Sequence, residues 1–207
     1  MPLVIVNQPA AEPVTLDEAK LHLRVDAVED DPLIGALISA ARLHAETVTA
    51  RQLMPARWKL VLDCFPGPSL MGVPAGVGFS LPGHAILIHK SPVQQIVSIR
   101  YRDMSSVWQD MPVADYVADL SSEPARITPA FGKVWPPMLP QIGSVEVLFD
   151  AGYASADQVP SGIKRWMLMR VGSLYQHREE FSVLPAGRID PLPFVDGLLD
   201  PYRVVTI

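Results

Sequence analysis

An apolar residue recurs every three or four positions through Asp31-Pro32-Leu33-Ile34-Gly35-Ala36-Leu37-Ile38-Ser39-Ala40-Ala41-Arg42-Leu43-His44-Ala45-Glu46-Thr47-Val48-Thr49. This spacing puts one apolar stripe on a helix and leaves polar side chains elsewhere on the cylinder. The stripe consists of Ile34, Leu37, Ile38, Ala41, Ala45 and Val48. Asp31 is the expected N-cap, with Pro32 at the first helical position, where the missing N–H of proline has no cost. The run therefore predicts a long amphipathic helix.

Two more helices are predicted, one on each side of a proline-rich region. Upstream, Thr15 and Glu18 have the spacing of a capping box, in which each side chain bonds the backbone N–H of the other residue. Proline is absent from residues 33–54 and 161–184, whereas thirteen prolines lie within 55–160. Long helices are therefore expected only outside that region, the third one from residue 161.

Within the proline-rich region the apolar period changes to two, which is typical of half-buried strands. The clearest alternation is in residues 58–62, 97–101 and 145–149, and shorter candidates are 85–89, 116–120 and 125–128. Strands of this spacing with Pro and Gly between them predict an antiparallel sheet or sandwich.

The predicted fold is α+β, a small helical bundle with an inserted antiparallel β region. Residues 1–55 hold the N-terminal helices, 56–158 the β insertion, and 159–207 the C-terminal helices and arm. The two flanks are each too small for a good core of their own, so we expect them to pack as one helical domain. At the end of the arm, residues 190–202 predict a short capped helix that Pro201 stops.

Composition excludes several classes of protein. Hydrophobic residues make up 49% of the 207 residues, so the chain should fold, yet no apolar run is long enough to span a bilayer. Residues 1–7 have neither the cationic start nor the longer apolar region of a signal peptide, so we expect a cytoplasmic protein. A single cysteine, Cys64, excludes an internal disulfide and a thiolate-rich zinc site. The net charge of -5 argues against tight nucleic-acid binding. No catalytic, nucleotide-binding or calcium-binding motif is present, so we expect no enzyme, no metal and no cofactor.

Several blocks of sequence, in order, resemble the head-to-tail connector (adaptor) proteins of long-tailed bacteriophages and prophages. The first is Glu12-Pro13-Val14-Thr15-Leu16-Asp17-Glu18-Ala19-Lys20-Leu21-His22-Leu23-Arg24-Val25-Asp26, followed by 31–38 and Ala40-Ala41-Arg42. Later blocks are 122–127, 133–136, 149–153, 159–179 and 198–203, and they are similar to the branch of the family with a β insertion between the helices.

The resemblance implies a structural role in the virion, at the head-tail junction, with assembly in the cytoplasm of the bacterial host. Such connectors form a ring-shaped, dodecamer-like homo-oligomer beneath the portal protein, extend the DNA channel and support tail attachment. The implied partners are therefore other copies of the chain, the portal protein, and a tail completion or head-closure protein. DNA is expected to pass through without tight binding, and no membrane is involved.

Two groups of residues are candidate contact sites. Residues 1–55 hold eight acidic and four basic residues, and 159–207 hold six basic and five acidic, which suggests complementary faces for a ring. The candidates for that subunit interface are Arg42, Glu46, Arg165 and Arg170. The resemblance also implies that the C-terminal arm docks on the portal or on a neighbour, through Phe194, Leu198, Leu199, Tyr202 and Arg203. Alternatively, the arm folds back on its own helices.

A competing function is a β-rich virion or cell-surface module that binds a ligand or receptor. Trp108 and the Gly/Pro-rich segment 66–80 would be its recognition elements. Such a module predicts a monomer or small oligomer with a specific ligand.

Overall fold

The computed structural model describes residues 2–67, 85–176 and 197–204. The described residues form three helices, α1 (Leu16–Leu23), α2 (Asp31–Thr49) and α3 (Ser161–Gln176). They also form eight strands: β1 (Leu3–Asn7), β2 (Ala56–Leu62), β3 (Ile86–Ile88), β4 (Val93–Arg102), β5 (Trp108–Asp110), β6 (Tyr116–Asp119), β7 (Ala125–Pro129) and β8 (Val145–Ala151). Helices precede and follow the main block of strands, as the α+β prediction requires.

The strands make two antiparallel sheets. One has the order β1-β2-β8-β4-β5 and the other the order β3-β7-β6. The two sheets share one apolar core, in which Phe149, Val147 and Ile99 come from the first sheet, and Ile88 and Ile127 from the second. The predicted antiparallel sheet or sandwich is confirmed, because all six predicted strands exist within a few residues of their expected positions.

Two strands escaped prediction, both at sheet edges. β1 pairs with β2 in the register Leu3 to Leu60 and Ile5 to Trp58. Its residues form one apolar run with no alternation, so only the distant partner strand identifies it as β structure. β5 is three residues long, too short for a periodic signal.

Chain contacts divide the protein into two units. In the described residues the β unit comprises 2–8, 55–67 and 85–152, and the helical unit comprises 9–54, 153–176 and 197–204. The sequence pattern groups 1–8 with the helices and 153–158 with the strands, whereas the structure puts β1 in the β unit and 153–158 in the helical unit.

The helical unit follows the local signals closely. At α1, the Glu18 N–H donates to Thr15 Oγ1 at 3.1 Å and the Thr15 N–H donates to Glu18 Oε2 at 2.8 Å, which confirms the capping box. At α2, the N-cap is Asp30 rather than the predicted Asp31. Asp31 is instead the first helical residue, and its carboxylate accepts a 2.6 Å hydrogen bond from Lys20, so it is not available as a cap.

The core of the helical unit lies between α2 and α3. Its fully buried members include Ile34 and Ala45 of the predicted α2 stripe, together with Ile163, Trp166 and Met167 of α3. The described end of the chain adds a single 3-10 turn, Asp200–Tyr202. Pro201 lies inside this turn, so the prediction that it stops a helix is wrong. Residues 190–196 of that predicted helix lie outside the described residues.

Candidate functional site

A buried polar network surrounds the last turns of α2. Arg42 donates to Glu12 Oε2 at 2.7 Å and to Glu46 Oε2 at 3.1 Å. The second oxygen of Glu46 accepts from the Gln52 side chain at 2.7 Å and from the Leu53 N–H at 3.0 Å. Because every donor and acceptor named here has a partner, the cost of burying these charges is offset.

Two of the four residues predicted for a subunit interface, Arg42 and Glu46, belong to this network. The Arg42 and Glu46 side chains are only 9% and 6% exposed, and they bond each other within one chain. They therefore have little surface to offer a neighbouring copy. Arg165 is exposed on α3 and Arg170 is partly buried there. The partner Glu12 lies thirty residues before Arg42, so no local spacing in the sequence could identify it.

The described C-terminal residues pack on the helical unit. Leu199 is fully buried, and Leu198 and Tyr202 contact the same core. The backbone is tied down as well, because the Tyr202 carbonyl accepts from Arg51 Nε at 2.6 Å and the Val204 N–H donates to a carbonyl of α2 at 2.9 Å. For residues 197–204, the structure thus has the folded-back arrangement.

The remaining two docking candidates differ from these. Arg203 is exposed and pairs with Asp200 at 3.2 Å. Phe194 lies outside the described residues.

Close packing of the Tyr202 ring depends on a glycine, because a Cβ at Gly162 would lie 2.6 Å from the Tyr202 hydroxyl.

The outer face of the five-stranded sheet carries cross-strand ion pairs. Glu146 accepts from Lys59 at 2.9 Å and from Arg100 at 2.6 Å. Burial alone would raise the pKa of Glu146, but these two hydrogen bonds outweigh it and hold the pKa below its usual range. Asp150 likewise has a lowered pKa, mainly because of its hydrogen bond from Arg57. Each carboxylate is thus ionised and paired with one or two of the three cations Lys59, Arg100 and Arg57.

The two recognition elements of the competing function are placed differently. Trp108 packs with the Arg100 and Arg102 guanidinium carbons 5.3 and 4.7 Å from its ring centroid. Of the segment 66–80, only residues 66 and 67 are described. They border an apolar cavity of about 530 Å³, beside which Phe65 and Trp135 stack with centroids 4.7 Å apart.

The cavity lining is mainly Pro, Val, Met and aromatic residues, and its polar side chains are Cys64 and Lys133. Within 2–67, 85–176 and 197–204, no three His, Cys, Asp or Glu residues lie close enough to hold a metal ion. No helix in the same ranges is long and apolar enough to cross a membrane.

Comparison with known proteins shows which families and structures the chain is similar to. A family model described as phage gp6-like head-tail connector protein matches residues 13–108, from the capping box of α1 to the start of β5. No curated protein sequence matches the chain.

Solved structures match the whole fold. A chain from the neck of an empty GTA particle computed with C6 symmetry has a TM-score of 0.75, with 100% of this chain and 97% of that chain covered at 21% identity. A chain from the virion of a native gene transfer agent (GTA) particle gives 0.71, and one from the neck of a native GTA particle computed with C12 symmetry gives 0.68, at the same identity and coverage. At this identity the matches show a shared fold. Together with the family model over residues 13–108, they agree with the resemblance of the sequence to phage head-tail connector proteins.

Proposed function

We propose that this protein is a structural component of the virion, a head-tail connector. It assembles as a ring of identical copies beneath the portal protein, extends the DNA channel and supports tail attachment. The observation that carries the proposal is the connector family model over residues 13–108, combined with a fold shared end to end with a neck chain. The proposal includes a dodecamer-like ring at the head-tail junction, put together in the host cytoplasm.

Ring assembly is supported by the symmetry in which the similar chains occur, C6 in one neck and C12 in another. Copies related by rotation must meet through two different faces of the same chain. For this chain, exposed Arg165 and partly buried Arg170 are the candidate basic side of such a contact.

A connector channel should let DNA slide. The net charge of -5 and the paired charges on the five-stranded sheet both limit the neutralisation of phosphates that tight binding requires. We therefore expect no tight complex with duplex DNA at physiological salt. A gel-shift assay that gave strong binding by the assembled ring would contradict this part of the proposal.

The C-terminal arm remains the proposed contact with the portal or with a neighbour. Because Leu198, Leu199 and Tyr202 pack on their own helices, exposed Arg203 and the undescribed Phe194 are the side chains still proposed to dock. Substituting Arg203→Glu should weaken recruitment to the portal protein without changing the melting temperature. Equal recruitment of this variant would remove Arg203 from the docking site.

The decisive measurement is mass in solution by light scattering at several concentrations. It is made on the chain alone and then with the portal protein from the same phage or prophage genome. A ring-sized particle, or a monomer recruited to the portal, is the expected result. A monomer that ignores the portal at every concentration would contradict the connector function.

The competing function, a β-rich module that binds a ligand or receptor, is not favoured. A neck chain shares the fold over the whole length of this chain, which favours the connector function. Trp108 is also held against two arginines of its own sheet, which engages the ring that such a module would present.

A further inference from the structure

The last described residues of the chain, 197–204, pack into the helical unit as a separate piece. Leu199 is fully buried in the core of that unit, and the Tyr202 ring lies directly against Gly162. Because a Cβ at Gly162 would be 2.6 Å from the Tyr202 hydroxyl, only glycine leaves room for the ring. We call residues 197–204 the C-terminal plug.

Two hydrogen bonds at the end of α2 hold the backbone of the plug. Arg51 Nε donates to the Tyr202 carbonyl at 2.6 Å, and the Val204 N–H donates to the Thr49 carbonyl at 2.9 Å. The regular structure of the plug is a single 3-10 turn of three residues, which is too short to be stable by itself. Its order therefore comes from the surface that receives it. We call that surface, which includes Thr49, Arg51 and Gly162, the plug groove.

The sequence between α3 and the plug is longer than a return to the same helical unit requires. Gly162, against which Tyr202 packs, is the second residue of α3, and Gln176 is the last. The helix has 16 residues and is thus about 24 Å long, a distance that about seven extended residues can span. Residues 177–196 number about 20 and can reach about 66–72 Å. Since a small domain is about 30 Å across, this length is sufficient to reach a neighbouring copy.

We propose that neighbouring copies in the ring exchange plugs, so that the plug of one copy occupies the plug groove of the next. This inference rests on the connector function proposed above, and it names the partner of the C-terminal arm as a second copy of the chain. A rotational contact joins two different surfaces of one chain, here the plug and the groove. Each copy then provides one plug and receives one, so the contact repeats around the ring until it closes.

Exchange preserves every contact that the plug makes in the structure. The groove is the same surface on each copy, so the burial of Leu199 and both backbone hydrogen bonds are kept. A plug that docked on a different protein would instead leave its groove empty and uncover the core around Leu199, which costs apolar burial. Neighbours in a ring also hold the groove at a high effective concentration. A second copy is therefore favoured over another protein as the partner of the plug.

Cross-linking between single-cysteine chains tests the exchange. The hydrogen bond from the Val204 N–H to the Thr49 carbonyl puts these two residues close enough for a disulfide. In a Cys64→Ser background, Thr49→Cys chains and Val204→Cys chains are mixed one to one before assembly, on the portal protein if a template is needed, and then oxidised. Exchange predicts a disulfide-linked dimer, because about a quarter of neighbouring pairs join a cysteine plug to a cysteine groove. A plug that stays on its own chain gives no dimer, and this result would overturn the inference.

Two controls accompany the cross-linking. Chains with both Thr49→Cys and Val204→Cys should form an internal disulfide as monomers and a ladder of linked chains as rings. Rings that contain only internal disulfides would contradict exchange while the connector function stands. Leu21→Cys, at a leucine that is 82% exposed on α1, replaces Thr49→Cys in the second control and should give no dimer with Val204→Cys. A wild type that neither assembles nor binds the portal protein contradicts the connector function itself.

A shortened connection to the plug gives an independent readout, which decides the matter if the cysteines do not oxidise. Deleting residues 180–192 leaves about seven residues between α3 and the plug, enough to return to the same helical unit but not to cross to a neighbour. We expect an unchanged melting temperature and a protein concentration about tenfold higher or more for ring assembly. The matched control replaces 180–192 with Gly/Ser residues of equal number and should assemble like the wild type. Equal assembly of the shortened chain would overturn the inference.

Discussion

The two units of the chain differ in how far their ion pairs are buried. In the helical unit, Arg42 and Glu46 are buried and join α2 to segments before and after it. In the β unit, the ion pairs of Glu146 lie on an open sheet face, with the Arg100 side chain 46% exposed. Removing a partner from a buried pair leaves a charge without solvation, whereas water replaces a lost partner at the surface. Similar hydrogen-bond lengths therefore correspond to very different contributions to stability.

The largest effect is expected from Glu46→Ala. This variant leaves Arg42, the Gln52 amide and the Leu53 N–H without their shared acceptor, and should cost about 3–5 kcal/mol of unfolding free energy. Urea unfolding followed by circular dichroism measures it. Glu29→Ala, at an exposed acid, is the control and should change stability by about 0.5 kcal/mol or less. A loss below about 1 kcal/mol for Glu46→Ala would remove the contrast between the units.

Leu199→Ala tests whether the C-terminal turn belongs to the helical core. Leu199 is 0% exposed, so its truncation should cost about 2–4 kcal/mol. Leu21→Ala, at a leucine that is 82% exposed on α1, should be nearly neutral by comparison. Equal melting temperatures for the two variants would mean that the turn contributes nothing to the core and is free to dock elsewhere.

Thr15→Ala removes one half of the capping box. We expect a loss of about 1 kcal/mol, because the Glu18 N–H loses its acceptor at the start of α1. Thr15→Ser keeps the hydroxyl and should retain most of the stability. The pKa of Glu18 lies below its usual value, chiefly because it accepts from the Thr15 N–H. The stability that this hydrogen bond adds through the ionised Glu18 carboxylate is present above the unfolded pKa. It is lost as pH falls through the folded pKa.

Glu146→Gln tests an ion pair whose basic partners are exposed to water. Although Glu146 pairs with both Lys59 and Arg100, the two basic partners keep access to water and the loss should stay below about 1 kcal/mol. The same urea titration measures it, and added salt should shrink the difference further. A loss as large as that of Glu46→Ala would show that exposure does not separate the two kinds of pair.

The smallest expected effect concerns the turn between β6 and β7. Hydrogen bonds from Ser121 and Arg126 lower the pKa of Asp119 to about 2. Because the folded pKa is lowered, the stability that the ionised Asp119 carboxylate adds is complete above the usual aspartate pKa. It is lost as pH falls toward 2. Carboxyl NMR should give a midpoint near 2 for Asp119. A midpoint at the ordinary aspartate value would mean that the turn is not held as described.

Sequence patterns predicted the elements whose signals are local. The stripe of α2, the Thr15–Glu18 capping box and the six alternating strands all involve residues within a few positions of one another. The resemblance to the connector family was likewise visible in the sequence, because the order of short sequence blocks depends on no contact. The N-cap of α2 is an instructive error, since two adjacent aspartates compete for the position and the distant Lys20 engages Asp31.

Contacts between distant residues decided the rest. β1 is a strand because β2 pairs with it, and Arg42 is buried because Glu12 and Glu46 satisfy its donors. Two of the predicted interface residues therefore lie in the interior of one unit. The periodicity of α2 determines which of its faces is apolar, but the partners of its charges depend on chain segments that only folding brings together. That is why the sequence by itself determined the helices, most strands and the resemblance to the connector family, whereas the tertiary structure alone decided which charges are buried.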